Sequence, residues 1–260
     1  FLKLAKITWD TKAAVLEKII QYERVHKIKD MNELKRRLGE DRRFFSYFHP
    51  ALEDEPIIFV QVALTNGLGK SIQEIMKPRT EGEKKYDTAT FYSISNCQEG
   101  LSRVTLGNFL IKRVVYEIQE ELPNIKNFGT LSPIPGFRDW FTTLDETIIQ
   151  NILGKIPYTN ISFLKNSNWK IGDGKIVSNK NAIIKLVAHY LINEKNKKNL
   201  PINDVCRFHL GNGAIIDDII INANVSEVGF NRSFGGMVNY LYELKNIEKN
   251  HEDYINNKKI

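Results

Sequence analysis

The sequence predicts an α+β (α/β) chain in which a sheet is flanked by helices, and two observations carry that expectation. Three runs, Phe44 to Phe48, Ile57 to Leu64 and Thr88 to Ser95, are rich in β-branched and aromatic residues, and His49-Pro50 and Asn66-Gly67 break the chain between them. Around these runs, apolar residues recur at helical spacing. With 260 residues, 42% of them hydrophobic, the chain can bury a full core, and one domain spanning residues 1–260 is expected.

From Thr11 to Glu23, Ala14, Val15, Ile19, Ile20 and Tyr22 recur near helical spacing, and Asp30 to Leu38 reads as a second helix stopped by Gly39. Arg36, Arg37, Arg42 and Arg43 then crowd before Phe44. The expectation there is a solvated edge, with the arginine stems covering apolar surface. Ser71 to Met76 reads as a short helix, and Lys77 to Lys85, with Pro78 and Gly82, as a surface connection.

The strand Thr88 to Ser95 runs through a polar turn at Gly100 into Leu106-Gly107-Asn108. That triplet opens an amphipathic helix reaching Leu122, with Phe109, Leu110, Val114 and Ile118 on its core face. The first turn of such a helix offers amide donors and the positive end of the helix dipole, which suits a pyrophosphate. Ser102, Arg103, Val104, Thr105, Leu106, Gly107 and Asn108 are therefore candidate binding residues. Taken alone, the same stretch reads more readily as an ordinary helix start with Thr105 as its cap.

Gly129-Thr130-Leu131-Ser132-Pro133-Ile134-Pro135-Gly136-Phe137 places one hydroxyl beside two closely spaced prolines. Each proline holds the residue before it extended, so Ser132 and Ile134 are kept out of helix while Gly136 frees the exit. An isolated motif of this kind more often ends an edge strand. Beyond it, Trp140, Phe141 and Leu144 suggest a packed helix, Asn160 to Trp169 is uninformative, and Gly172-Asp173-Gly174 signals a turn. Ala182 to Leu191 has the spacing of a buried helix, on which His189 reads as structural. Phe208-His209-Leu210-Gly211-Asn212-Gly213-Ala214 reads as a strand alternating into a glycine-rich turn before the apolar run Ile215 to Ile221.

Composition narrows the function classes. Lysine and arginine total 37 against 31 acidic residues, a net charge of +6 that suits anionic ligands. Much of the excess sits in Lys/Asn-rich stretches such as Asn193 to Asn199, and no basic stretch is interleaved with aromatics, so no nucleic-acid partner is expected. The two cysteines, Cys97 and Cys206, form neither a disulfide framework nor a zinc-type cluster. No metal site is expected. The longest apolar runs fall well short of a membrane span, so no membrane partner is expected either.

Taken together, LSPIPGF, the upstream blocks FYSISNCQEGL and LGNFLIKRVV, and the downstream blocks FHLGNGA and SFGGMVNYLY resemble the malonyl-CoA decarboxylase family. The blocks occur in that family's order from about Phe1 to about Glu243, with a gap between roughly Asp145 and Ala182. The resemblance implies the family's C-terminal catalytic domain, with an acetyltransferase-like (GNAT) mixed sheet, and the conversion of malonyl-CoA to acetyl-CoA and carbon dioxide, which controls malonyl-CoA levels in fatty acid metabolism. It also implies that the helical domain usually preceding the catalytic one is absent from a chain that opens at Phe1, and that the full-length protein is a homo-oligomer. A mitochondrial or cytoplasmic location is expected, since the final Asn257-Lys258-Lys259-Ile260 is not a peroxisomal signal.

By this resemblance Ser132 and His209 are the catalytic pair, while Ser93 and Tyr242 lie near substrate. No cofactor is required, because coenzyme A is part of the substrate and the thioester carbonyl can itself accept the electrons released with carbon dioxide. Ser132 is expected to contact the reacting group, and His209 to supply the proton that quenches the carbanion. One departure stands out: Thr105 occupies a position where the family often has glutamate. The fold also supports an acyltransferase using acyl-CoA, and a noncatalytic acyl-CoA-binding domain; release of carbon dioxide without any acceptor separates the decarboxylase from both.

Overall fold

The computed structural model describes residues 2–77, 86–97, 110–159, 161–165 and 174–260. The expected connection from Lys77 to Lys85 and the candidate loop Ser102 to Asn108 lie, wholly or nearly so, outside the described residues. The chain forms two compact units, one built from Phe1–Gly69 and Ile75–Thr130, the other from Lys70–Glu74 and Leu131–Ile260.

In the first unit, strands β1 (Lys3–Lys6), β2 (Arg42–Phe48), β3 (Pro56–Thr65), β4 (Thr88–Asn96) and β5 (Asn127–Thr130) pair in that order. All pairings are antiparallel except β4 with β5, which makes the sheet mixed. Strand β3 is buried along nearly its whole length, as its continuous apolar run requires when both faces of a sheet are covered. One cover is α1 (Ala13–Tyr22) with α2 (Met31–Arg37), whose Val15, Leu16, Ile19 and Leu34 pack on Phe44 and Phe59. Opposite lies α4, described from Leu110 to Glu121; the Tyr47 hydroxyl, on the other side of β2 from Phe44, donates to Leu110 O at 3.2 Å. Asp30 starts α2 by accepting from the Glu33 amide at 2.9 Å. A bulge at Tyr92 interrupts the register between β3 and β4.

The second unit carries β6 (Ser132–Pro133), β8 (Met237–Leu241) and β7 (Ile215–Ile220) as an antiparallel set, with Ser132 opposite Val238. Its helices are α5 (Phe137–Thr143), α6 (Glu146–Leu153), α7 (Gly174–Ser178), α8 (Lys180–Ile192), α9 (Asp204–Gly211), α10 (Glu227–Ser233) and α11 (Ile247–Asn257). The short helix α3 (Ile72–Met76) is divided, Ile72–Glu74 counting with the second unit and Ile75–Met76 with the first. Phe137 centres an aromatic cluster with Trp140, Phe141, Tyr190 and Phe234.

Two expectations are corrected. Phe208 to Gly211 is the last turn of α9 and not a strand: Asn203 caps this helix, and buried Cys206, His209 and Leu210 fall at helical spacing. Gly211-Asn212-Gly213 therefore ends a helix. Second, the arginine cluster is not a solvated edge. Arg37 and Arg42 are 3% and 6% exposed. Arg37 donates to the carbonyls of His26 and Lys27 and pairs with Glu33, while Arg42 pairs with Asp41 and donates to Ile75 O. Buried guanidinium groups persist because each finds several acceptors.

Candidate active site

Ser132 lies on β6, directly after the Leu131 that separates it from β5, with the extended backbone that Pro133 imposes. The chain then turns at Gly136, whose φ of 79° is in the left-handed region; a Cβ there would also meet the Tyr190 hydroxyl at 2.7 Å. His209 enters from α9. Its Nε2 lies 3.0 Å from Ser132 Oγ, and its Nδ1 lies 2.8 Å from the Tyr242 hydroxyl. Three side chains far apart in sequence thus form one hydrogen-bonded row, Ser132, His209, Tyr242.

The row is dry. His209 and Tyr242 are each 2% exposed and Ser132 is 6% exposed. Burial pushes the His209 imidazolium down to about 3, and pushes the Tyr242 and Tyr240 hydroxyls well above the ordinary tyrosine range. At neutral pH the imidazole is therefore uncharged, with one N–H and one bare nitrogen. Two settings satisfy the same geometry. In one, Tyr242 donates to Nδ1 and Nε2–H donates to Ser132 Oγ. In the other, every donor points the opposite way.

Tyr240 on β8 and Tyr242, the residue just beyond that strand, both lie against His209, and Tyr240 stacks on the ring with centroids 4.5 Å apart and planes 24° from parallel. The period-two spacing of these tyrosines was the available signal for Tyr240. Cys206 lies beside it, and burial raises its thiol to about 11, so it stays protonated at neutral pH.

The other expected site residues fall differently. Ser93 belongs to the first unit, where its hydroxyl donates to Glu23 Oε2 at 2.7 Å. That carboxylate also accepts from Ser95 Oγ, Gln61 Nε2 and the Val25 and His26 amides, and Tyr92 donates to Gln61 Oε1. Ser102, Arg103, Val104, Thr105, Leu106, Gly107 and Asn108 lie outside the described residues. His189 stacks on Trp140 and pairs with Glu194 at 3.5 Å, the structural placement expected of it. Among the described residues, no group of three or more His, Cys, Asp or Glu side chains is arranged to hold a metal ion, and no helix is long and apolar enough to cross a membrane.

Comparison with solved structures identifies the fold. The loading GNATL domain of CurA from Lyngbya majuscula superposes with a TM-score of 0.58 at 11% identity, covering 94% of this chain and 98% of that one. The mixed sheet flanked by helices is thus acetyltransferase-like. Malonyl-CoA decarboxylase from Rhodopseudomonas palustris matches at a TM-score of 0.90 and 42% identity, covering 100% of this chain and 64% of that chain. Among curated sequences, mitochondrial malonyl-CoA decarboxylase from Anser anser anser is 38% identical over 282 residues, covering 100% of this chain and 56% of its own length. The chain therefore spans about half the length of that relative. The family model for the malonyl-CoA decarboxylase C-terminal domain matches residues 1–260, and with these likenesses it establishes that the chain belongs to the malonyl-CoA decarboxylase family.

Proposed function

We propose that this chain is the catalytic part of an enzyme that decarboxylates malonyl-CoA to acetyl-CoA and carbon dioxide, and so controls malonyl-CoA in fatty acid metabolism. The buried, uncharged row Ser132–His209–Tyr242 carries this reading. When the bond between the α-carbon and the carboxylate breaks, its electron pair moves into the thioester carbonyl, giving an enolate and carbon dioxide. Ser132 donates to the reacting group, and a dry site strengthens that donation where charge develops. The α-carbon then takes the proton of Ser132, His209 Nε2–H replaces it, and the negative charge that leaves the enolate rests on the imidazole ring, which the Tyr242 hydroxyl stabilises by donating to Nδ1. An enolate is a far stronger base than any member of the row, so neutral donors suffice, and solvent restores the lost proton after product release.

The imidazole's low proton affinity favours this direction over nucleophilic attack by Ser132. Attack on the thioester would need His209 to hold the serine proton as a buried imidazolium. Coenzyme A phosphates are assigned to Ser102–Asn108 by the sequence argument, and no metal or further cofactor enters the reaction. The relatives named mitochondrial support a mitochondrial site of action, with cytoplasm the alternative, and the full-length protein is expected to form a homo-oligomer without nucleic-acid or membrane partners. Incubating the full-length protein with malonyl-CoA alone tests the reaction. Equal amounts of acetyl-CoA and carbon dioxide are expected; coenzyme A binding without carbon dioxide release would refute the reading.

A further inference from the structure

We infer that Asn203 is a positioning residue that ties the loop carrying Ser132 to the helix carrying His209, an inference that rests on the decarboxylase reading of that pair. Asn203 is 2% exposed, and both ends of its amide are engaged. Its Oδ1 accepts from the Cys206 amide at 2.8 Å and caps α9, six residues before His209. Its Nδ2 donates to the carbonyl of Pro135 at 2.8 Å, three residues after Ser132. One rigid side chain thus anchors the origin of the histidine helix to the serine loop. The Tyr190 hydroxyl donates to the same Pro135 carbonyl at 3.0 Å, and Arg207 Nη1 donates to the carbonyls of Pro201 and Ile202, stiffening the approach to the cap.

The tie matters because Ser132 and His209 sit on different elements, and the ladder that links them, from β6 through β8 to β7 and back to α9, rests on the two-residue strand β6. That distance follows from where the short α9 begins relative to a two-residue strand. A shift of about 1 Å between reacting groups can cost on the order of 100-fold in rate. Asn203 touches neither the reacting atoms nor the row, so it acts only through the pair it aligns.

The chemistry of the amide supplies a selective test. Asn203→Asp keeps the cap acceptor, and aspartate caps as well as asparagine, but it replaces the donor facing Pro135 with a second acceptor. In the full-length enzyme this variant should lose about 10- to 100-fold in kcat with KM within about twofold. The loss should shrink as pH falls, because the protonated carboxyl regains a donor for Pro135. In a Ser132→Ala background the same substitution should change kcat by less than about twofold, since the alignment has lost its purpose. Undiminished kcat in Asn203→Asp, or an equal loss with and without Ser132, overturns the inference, whereas failure of the wild type to release carbon dioxide overturns the decarboxylase reading instead. In that event the 15N shifts of the His209 ring still decide: they should differ between wild type and Asn203→Asp, and identical shifts overturn the tie.

Discussion

Replacing Tyr242 with phenylalanine removes one oxygen and leaves the ring that packs beside His209. The lost hydroxyl lies 2.8 Å from Nδ1, and the imidazole is buried, so no bulk water is at hand to replace it. A buried polar atom left without its partner costs about 1–3 kcal/mol. If that bond steadies His209 while the proton passes through Ser132, the cost falls on the transition state, and each 1.4 kcal/mol is about tenfold in rate. Tyr242→Phe should therefore lower kcat by about 5- to 150-fold. KM should hold within about twofold, because the hydroxyl faces the imidazole. Steady-state assay of acetyl-CoA formation measures both constants, and thermal unfolding verifies that the variant is folded. A folded Tyr242→Phe enzyme with wild-type kcat would refute the role given to the row.

Other predictions follow from the same geometry. His209→Ala should reduce kcat by about two to four orders of magnitude with coenzyme A affinity nearly unchanged, measured by turnover and by equilibrium binding. Below its ordinary pKa of 6.5 the unfolded His209 binds a proton that the folded protein refuses until about 3, so stability falls as pH drops through that window. Urea unfolding from pH 7 to 4 should show this as a loss of several kcal/mol, with a shallower slope in His209→Gln. Gly213→Ala should destabilise by about 2 kcal/mol or more in thermal or urea unfolding, because φ is 81° and the new Cβ would lie 2.2 Å from Ile247 O at the start of α11. Glu23→Ala strips one acceptor from the Ser93, Ser95 and Gln61 side chains and should cost about 3 kcal/mol in the same measurement.

Much of the fold was legible because its elements are locally consistent. The β3 run has no competing period, and Asp30 and Gly39 mark the limits of α2, so both emerged within a residue or two. His209 was legible as a residue but not as a conformation. Phe208 to Gly211 is too short to separate a period of two from one of 3.6, and its true signal, the Asn203 cap, stands five residues upstream of Phe208. Arg37 and Arg42 misled because charge alone does not reveal carbonyl acceptors brought in from His26, Lys27 and Ile75. Tyr240 and Asn203 were missed as site residues for a similar reason: one acts by stacking on a ring that only the fold brings near, with its period-two spacing from Tyr242 as the sole local hint, and the other by tying the helix it caps to the distant loop of Pro135.

The most direct test is a crystal structure of the full-length protein with an unreactive malonyl-CoA analogue. The account predicts that Ser132 Oγ lies within hydrogen-bond reach, about 3 Å, of the malonyl thioester, with His209 Nε2 still bonded to that oxygen. A malonyl group held beyond the reach of Ser132, with the row intact and empty, would contradict it.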